Sequence, residues 1–113
     1  MDSILTSIKK MLGISEEYEQ FDPELMIYIN SAFGTLKQLG VGPDSGYSIS
    51  SKDNTWGEFS SDSSEVSLVK SYVYISVRLI FDPPTSSFVL DSLSRQRDEI
   101  GWRLNAGAEL ETI

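Results

Sequence analysis

Apolar residues recur at three- and four-residue steps along most of this chain, the spacing that builds one face of an α-helix. The longest such run lies between Glu65 and Phe81. Val66, Val69, Val73, Val77 and Ile80 form one stripe, and Leu68, Tyr72, Ile75 and Leu79 form a second beside it. A helix apolar over that much of its circumference is enclosed by other elements. The valines and tyrosines would also suit a strand, but alternation fails at Leu68-Val69 and Leu79-Ile80-Phe81, and the run exceeds ordinary strand length. Asp62 with Glu65 three residues on reads as a capping box that opens the helix. Asp82-Pro83-Pro84 closes it, because proline has no backbone N–H and restrains the residue before it. The pattern predicts a central helix.

Two helices precede it. Ile4, Ile8, Met11 and Leu12 give a short first helix a narrow apolar face, with Lys9 and Lys10 near the negative end of its dipole and Gly13 as its cap. The second opens at Asp22-Pro23, with Asp22 as N-cap, and carries Leu25, Ile29, Ala32, Phe33, Leu36 and Leu39 before Gly40 ends it. Met26 and Tyr28 widen its buried face, and Asn30 reads as a partly exposed polar residue. Between the two helices, Glu16, Glu17 and Glu19 make an acidic connector, from which Tyr18 and Phe21 are expected to tuck onto the core. Such a cluster could attract a cation or a basic partner; plain solvation is the simpler reading.

Val41 to Phe59 is a long connection holding a turn cluster, the alternating segment Tyr47-Ser48-Ile49-Ser50 and the aromatics Trp56 and Phe59. It reads as a hairpin or an irregular loop. Trp56 and Phe59 suit the core, with partner contact as the alternative. Asp44, Asp53 and Asp62 lack calcium-loop spacing. After the prolines, Thr85-Ser86-Ser87 restarts a helix whose apolar face is Val89, Leu93, Ile100 and Leu104, flanked by Phe88, Leu90 and Trp102. Trp102 is expected in the core, and Arg95 and Arg97 on a solvated face among Asp91, Asp98 and Glu99. Beyond Leu104, small residues and Gly107 predict a tail bearing Leu110 and Ile113. It reads either as a frayed terminus or as a segment that orders on a neighbour.

The result is an all-α fold: a small bundle of three longer helices and a short N-terminal one, with a long loop or hairpin between helices two and three. Residues 1–104 form the helical domain and 105–113 a flexible C-terminal tail.

Composition narrows the function. The chain of 113 residues has 40% hydrophobic residues, enough for one modest core. It has neither cysteine nor histidine, which excludes disulfides, thiolate metal sites and every Ser-His-Asp, Cys-His or zinc-hydrolase constellation. Catalytic, cofactor and metal sites are therefore expected to be absent. A net charge of −8 opposes sequence-independent binding to nucleic acid. No run is long enough for a membrane span, and Met1-Asp2-Ser3-Ile4 lacks the basic start of a secretory signal, so a cytoplasmic origin is expected.

Several features then fall into a familiar order. They are Asp2-Ser3-Ile4-Leu5, Lys9-Lys10-Met11-Leu12-Gly13-Ile14, Phe21-Asp22-Pro23, Gln38-Leu39-Gly40-Val41-Gly42-Pro43 and Thr55-Trp56. Lys70-Ser71-Tyr72-Val73-Tyr74, Arg78-Leu79-Ile80-Phe81-Asp82-Pro83-Pro84 and Trp102-Arg103-Leu104-Asn105 complete the set. Together they resemble small head–tail connector (adaptor) proteins of long-tailed phages and prophages. The resemblance implies a structural role without catalysis: a ring beneath the portal of a filled capsid, extending the DNA channel and presenting a platform to neck and tail proteins. It implies a homo-oligomer of about twelve subunits, with the portal and the downstream neck and tail proteins as partners. DNA would pass without specific binding, at the head–tail interface of a virion assembled in the host cytoplasm. Carried onto this chain, portal docking falls to Asn105 to Ile113, including Ala106, Leu110 and Ile113. Lumen or neck contacts fall to the loop, with Tyr47, Ile49, Trp56 and Phe59 as its candidates.

Two other readings compete. A monomeric acidic binding module, such as a phage-encoded inhibitor or DNA mimic, would share the size and charge. It should space carboxylates along one face, whereas Glu16, Glu17 and Glu19 cluster in a connector. A carboxylate hydrolase would need two acids converging in an apolar cleft, and no spacing here suggests the pair.

Overall fold

The computed structural model describes residues 2–111. Among them the chain forms five helices and no strand: α1 (Ile4–Met11), α2 (Asp22–Gln38), α3 (Trp56–Phe59), α4 (Ser63–Phe81) and α5 (Ser87–Glu111). α4 is the central element. It packs against α5, α2 and α1. Val69, Val73 and Val77 are fully buried, Tyr72 and Ile75 nearly so. Ile80 departs from the expected stripe at 57% exposure, because it falls in the last turn of α4.

The helix ends follow from local chemistry. Asp62 accepts from Ser64 and Glu65 N–H at 3.0 and 3.4 Å, so the predicted cap of α4 forms. Ser3 caps α1 by accepting from Thr6 N–H at 3.2 Å. Both α1 and α2 end with a left-handed glycine, Gly13 and Gly40, each at φ +80°. After each, the next residue donates back five positions: Ile14 N–H to Lys9 O and Val41 N–H to Leu36 O, both at 2.9 Å. This reverses the chain while satisfying carbonyls that a helix end leaves open.

The start of α2 is built differently from the expectation. Phe21 occupies the N-cap position without a side-chain cap bond. Asp22 instead turns its carboxylate to Lys9, whose Nζ lies 2.9 Å away. The reason is burial: Lys9 is only 2% exposed, and an ammonium out of water requires a countercharge and acceptors. It finds them in Asp22 and in two connector carbonyls, Glu16 O at 3.0 Å and Tyr18 O at 2.7 Å. The two carbonyls accept hydrogen bonds from the ammonium, and Asp22 Oδ1, which takes no hydrogen bond, balances its charge.

The long connection is an irregular loop ending in α3, held at several points. Asn30 clips it twice, Oδ1 accepting from Ile49 N–H at 2.8 Å and Nδ2 donating to Ile49 O at 3.0 Å. Phe33 gathers Tyr47, Trp56 and Phe59 at ring-centroid distances of 5.2, 6.3 and 5.2 Å. Trp56 Nε1 donates to Ser7 Oγ at 3.2 Å, and Ser3 and Thr55 form an isolated antiparallel bridge. The loop is thereby packed into the domain.

Two expectations for the last helix fail. Trp102 is 70% exposed rather than buried, and Val89 is 40% exposed. α5 packs through Ile100, Gly101 and Leu104, and Trp102 stands about 200° round the helix from Ile100 and Leu104. Residues 105–111 form no separate tail but continue α5. Asn105 Nδ2 donates to Leu39 O at 2.9 Å, and Ala108 Cβ lies 3.5 Å from where a Cβ on Gly40 would stand. These contacts tie the segment to the end of α2.

Candidate interaction surfaces

The predicted contact residues divide by burial. Ile49, Trp56 and Phe59 are 4%, 3% and 5% exposed and belong to the core. Tyr47 is half-buried, with its hydroxyl donating to Glu58 Oε1 at 2.8 Å. Burial, followed by this carboxylate, pushes the Tyr47 phenol up to about 12. Glu58 is held below the usual carboxylate range, first by the Asn54 amide, then by Tyr47 and the Thr55 N–H. Tyr47, Asn54, Thr55 and Glu58 form one hydrogen-bond network centred on Glu58 Oε1. Ala106 is half-buried on α5 and Leu110 is 70% exposed. Ile113 lies outside the described residues.

The surfaces that remain open are elsewhere. Along α5, Phe88 and Trp102 are 75% and 70% exposed, with Arg95, Glu99 and Arg103 on the exposed side between and beside them. Arg103 pairs with Glu99 at 2.9 Å. On the α1–α2 connector, Glu16, Glu17 and Glu19 are exposed around Tyr18, which leans on Phe21 at 5.4 Å instead of entering the core. A hydrogen bond from Ser15 holds the Glu17 carboxyl below its usual range. On α2, Ile27 is 65% exposed.

A cleft of about 490 Å³ opens where the loop after α2, α3, the start of α4 and the end of α5 meet. Val41, Pro43, Phe59, Leu68, Leu104 and Ala108 supply apolar wall, and Asp62 and Arg103 stand among its polar residues. Its chemistry suits an apolar side chain from another protein better than a reacting substrate. Among the described residues, no group of three or more carboxylates is placed to hold a metal ion, and no helix is long and apolar enough to cross a membrane.

The chain matches the phage connector protein family over residues 4–111 and belongs to it. It is thus a structural connector and not an enzyme. No significant match was found among curated proteins or solved structures.

Sequence reasoning missed the α5 surface because it assigned Phe88 and Trp102 by residue type. The available signal was angular: neither aligns with the face set by Leu93, Ile100 and Leu104.

Proposed function

We propose that this chain is a head–tail connector that forms a ring beneath the portal, extends the DNA channel and carries the next neck or tail component. Its membership of the phage connector family over residues 4–111 carries this reading. The acidic balance supports it, since a surface of net charge −8 repels DNA in transit. The exposed end of α5, with Leu110 at 70% exposure, is a further surface for portal docking. On this reading the protein sits at the head–tail interface of the virion.

Complementation tests this role. Particles lacking the protein should be filled heads without tails, and adding the purified chain should restore tail joining. Heads that accept tails equally well without it would contradict the reading.

A further inference from the structure

The cleft where the α2–α3 loop, the start of α4 and the end of α5 meet has walls that are held in the free chain. Asn105 Nδ2 donates to Leu39 O at 2.9 Å on one side, and Asp62 caps α4 on the other by accepting from Ser64 and Glu65 N–H. A hollow whose walls are fixed beforehand costs less to fill. Of its apolar lining, Val41, Phe59 and Leu104 belong to the core, while Pro43, Leu68 and Ala108 are half-buried. An entering apolar group would cover those half-buried atoms and gain by their removal from water. At about 490 Å³ the hollow lies within the roughly 300–1,000 Å³ of binding pockets.

The charges at the cleft select its occupant. Three charged residues line it: Asp62, Glu65 and Arg103. Arg103 pairs with Glu99 at 2.9 Å, so its charge is already offset. Asp62 accepts only from neutral N–H groups and, among the described residues, forms no ion pair. The exposed Asp44 adjoins Pro43, and no lysine is among the described lining residues. The mouth is therefore acidic, on a chain of net charge −8, and favours a cation beside the apolar group. The exposed end of this chain is a poor match. Leu110 follows Glu109, so a second copy entering by that end would bring a carboxylate toward Asp62.

We propose that this cleft takes a short segment of another protein in which an aromatic or branched apolar residue stands next to a lysine or arginine. The apolar side chain fills the hollow, and the cation pairs with Asp62. The Ser61 and Ser64 hydroxyls in the same lining can bond the segment's backbone. The inference stands on the cleft and is independent of the ring reading.

Amide NMR on the full chain with two capped peptides tests it, one with a phenylalanine between two lysines and the other with a phenylalanine between two glutamates. The lysine peptide should shift the amides of Gly42, Ser64, Leu68 and Gly107, and bind about tenfold more tightly than the glutamate peptide. Gly107→Trp should weaken it at least about tenfold by filling the hollow. A Cβ at Gly107 meets nothing within 4 Å, so the fold is kept; if circular dichroism shows otherwise, Ser61→Trp replaces it from another wall. Asp62→Asn keeps a good N-cap while removing the charge. It should weaken the lysine peptide about threefold and leave the glutamate peptide no weaker. Equal affinity for the two peptides overturns the basic partner. Binding that survives the tryptophan overturns the cleft as its site. No shift at those amides with about 5 mM lysine peptide overturns the proposal outright. A free chain that gains mass with concentration, and loses that gain in Gly107→Trp, makes a second copy the occupant and overturns the separate partner. None of these outcomes touches the connector reading, which portal binding tests.

Discussion

Lys9 and Asp22 join α1 to α2 through an ion pair of 2.9 Å in which the lysine side chain is 3% and the aspartate 15% exposed. The same ammonium fixes the connector by its bonds to Glu16 O and Tyr18 O. One buried charge therefore sets the path of residues 12–21, including the glutamates they present to solvent.

Lys9→Met should destabilise the domain by about 3 kcal/mol, because it strands a carboxylate and two carbonyls. Urea denaturation checks the magnitude. Adding Asp22→Leu should recover part of the loss, since the stranded carboxylate is then gone. A Lys9→Met variant of wild-type stability would mean the ammonium is solvated.

Asn30→Ala should cost about 1–3 kcal/mol through the loss of both bonds to Ile49. The loop should loosen before the helices do, so hydrogen exchange at the Ile49 amide should accelerate more than at α4 amides. Equal acceleration at both would place the effect on global stability alone.

The Tyr47–Glu58 network predicts a pH response at both extremes. Glu58 is depressed below 4.5, so its contribution is present above that value and lost as pH falls through the lower folded value. Tyr47 is raised from 10.0 to about 12, so its contribution is present below pH 10 and lost as pH rises toward 12. Tyr47→Phe should flatten the alkaline limb of stability. Asn54→Ala should flatten the acid limb more than Tyr47→Phe does, because Asn54 is the larger cause at Glu58. Phenolate absorbance and thermal melts read the two limbs.

The two tryptophans should behave oppositely. Trp56, 3% exposed, packs on Phe33 and lies under the Lys70 ammonium at 5.5 Å, so Trp56→Ala should cost about 3–5 kcal/mol. Trp102 is 70% exposed, so Trp102→Ala should change stability by less than about 0.5 kcal/mol. Comparable losses at both would mean Trp102 packs in the monomer.

The contrast marks what the sequence could reveal. Helical periodicity located α1, α2 and α4, because Ile8, Phe33 and Val73 sit on dense apolar faces with caps at their ends. The core reading of Trp56 and Phe59 came from residue type, not periodicity, and stood beside a partner-contact reading. The fate of Lys9 was not legible. A lysine in the last turn of a helix ordinarily complements the dipole, and its acceptors are backbone carbonyls seven and nine residues on, set by a turn that side-chain pattern does not encode. The helical course of residues 105–111 was hidden too, because its support comes from Leu39 and Gly40, far away in the chain. Trp102 was misplaced for the reverse reason: residue type alone does not tell an exposed tryptophan from a core one, and Trp102 is 70% exposed.

The central claim is that this chain assembles on a portal. The most direct measurement is light-scattering mass of the purified protein mixed with the portal of its phage. The account predicts a stoichiometric complex carrying many copies of the chain per portal ring. A monomer that leaves the portal's mass unchanged would contradict it and favour an acidic binding module.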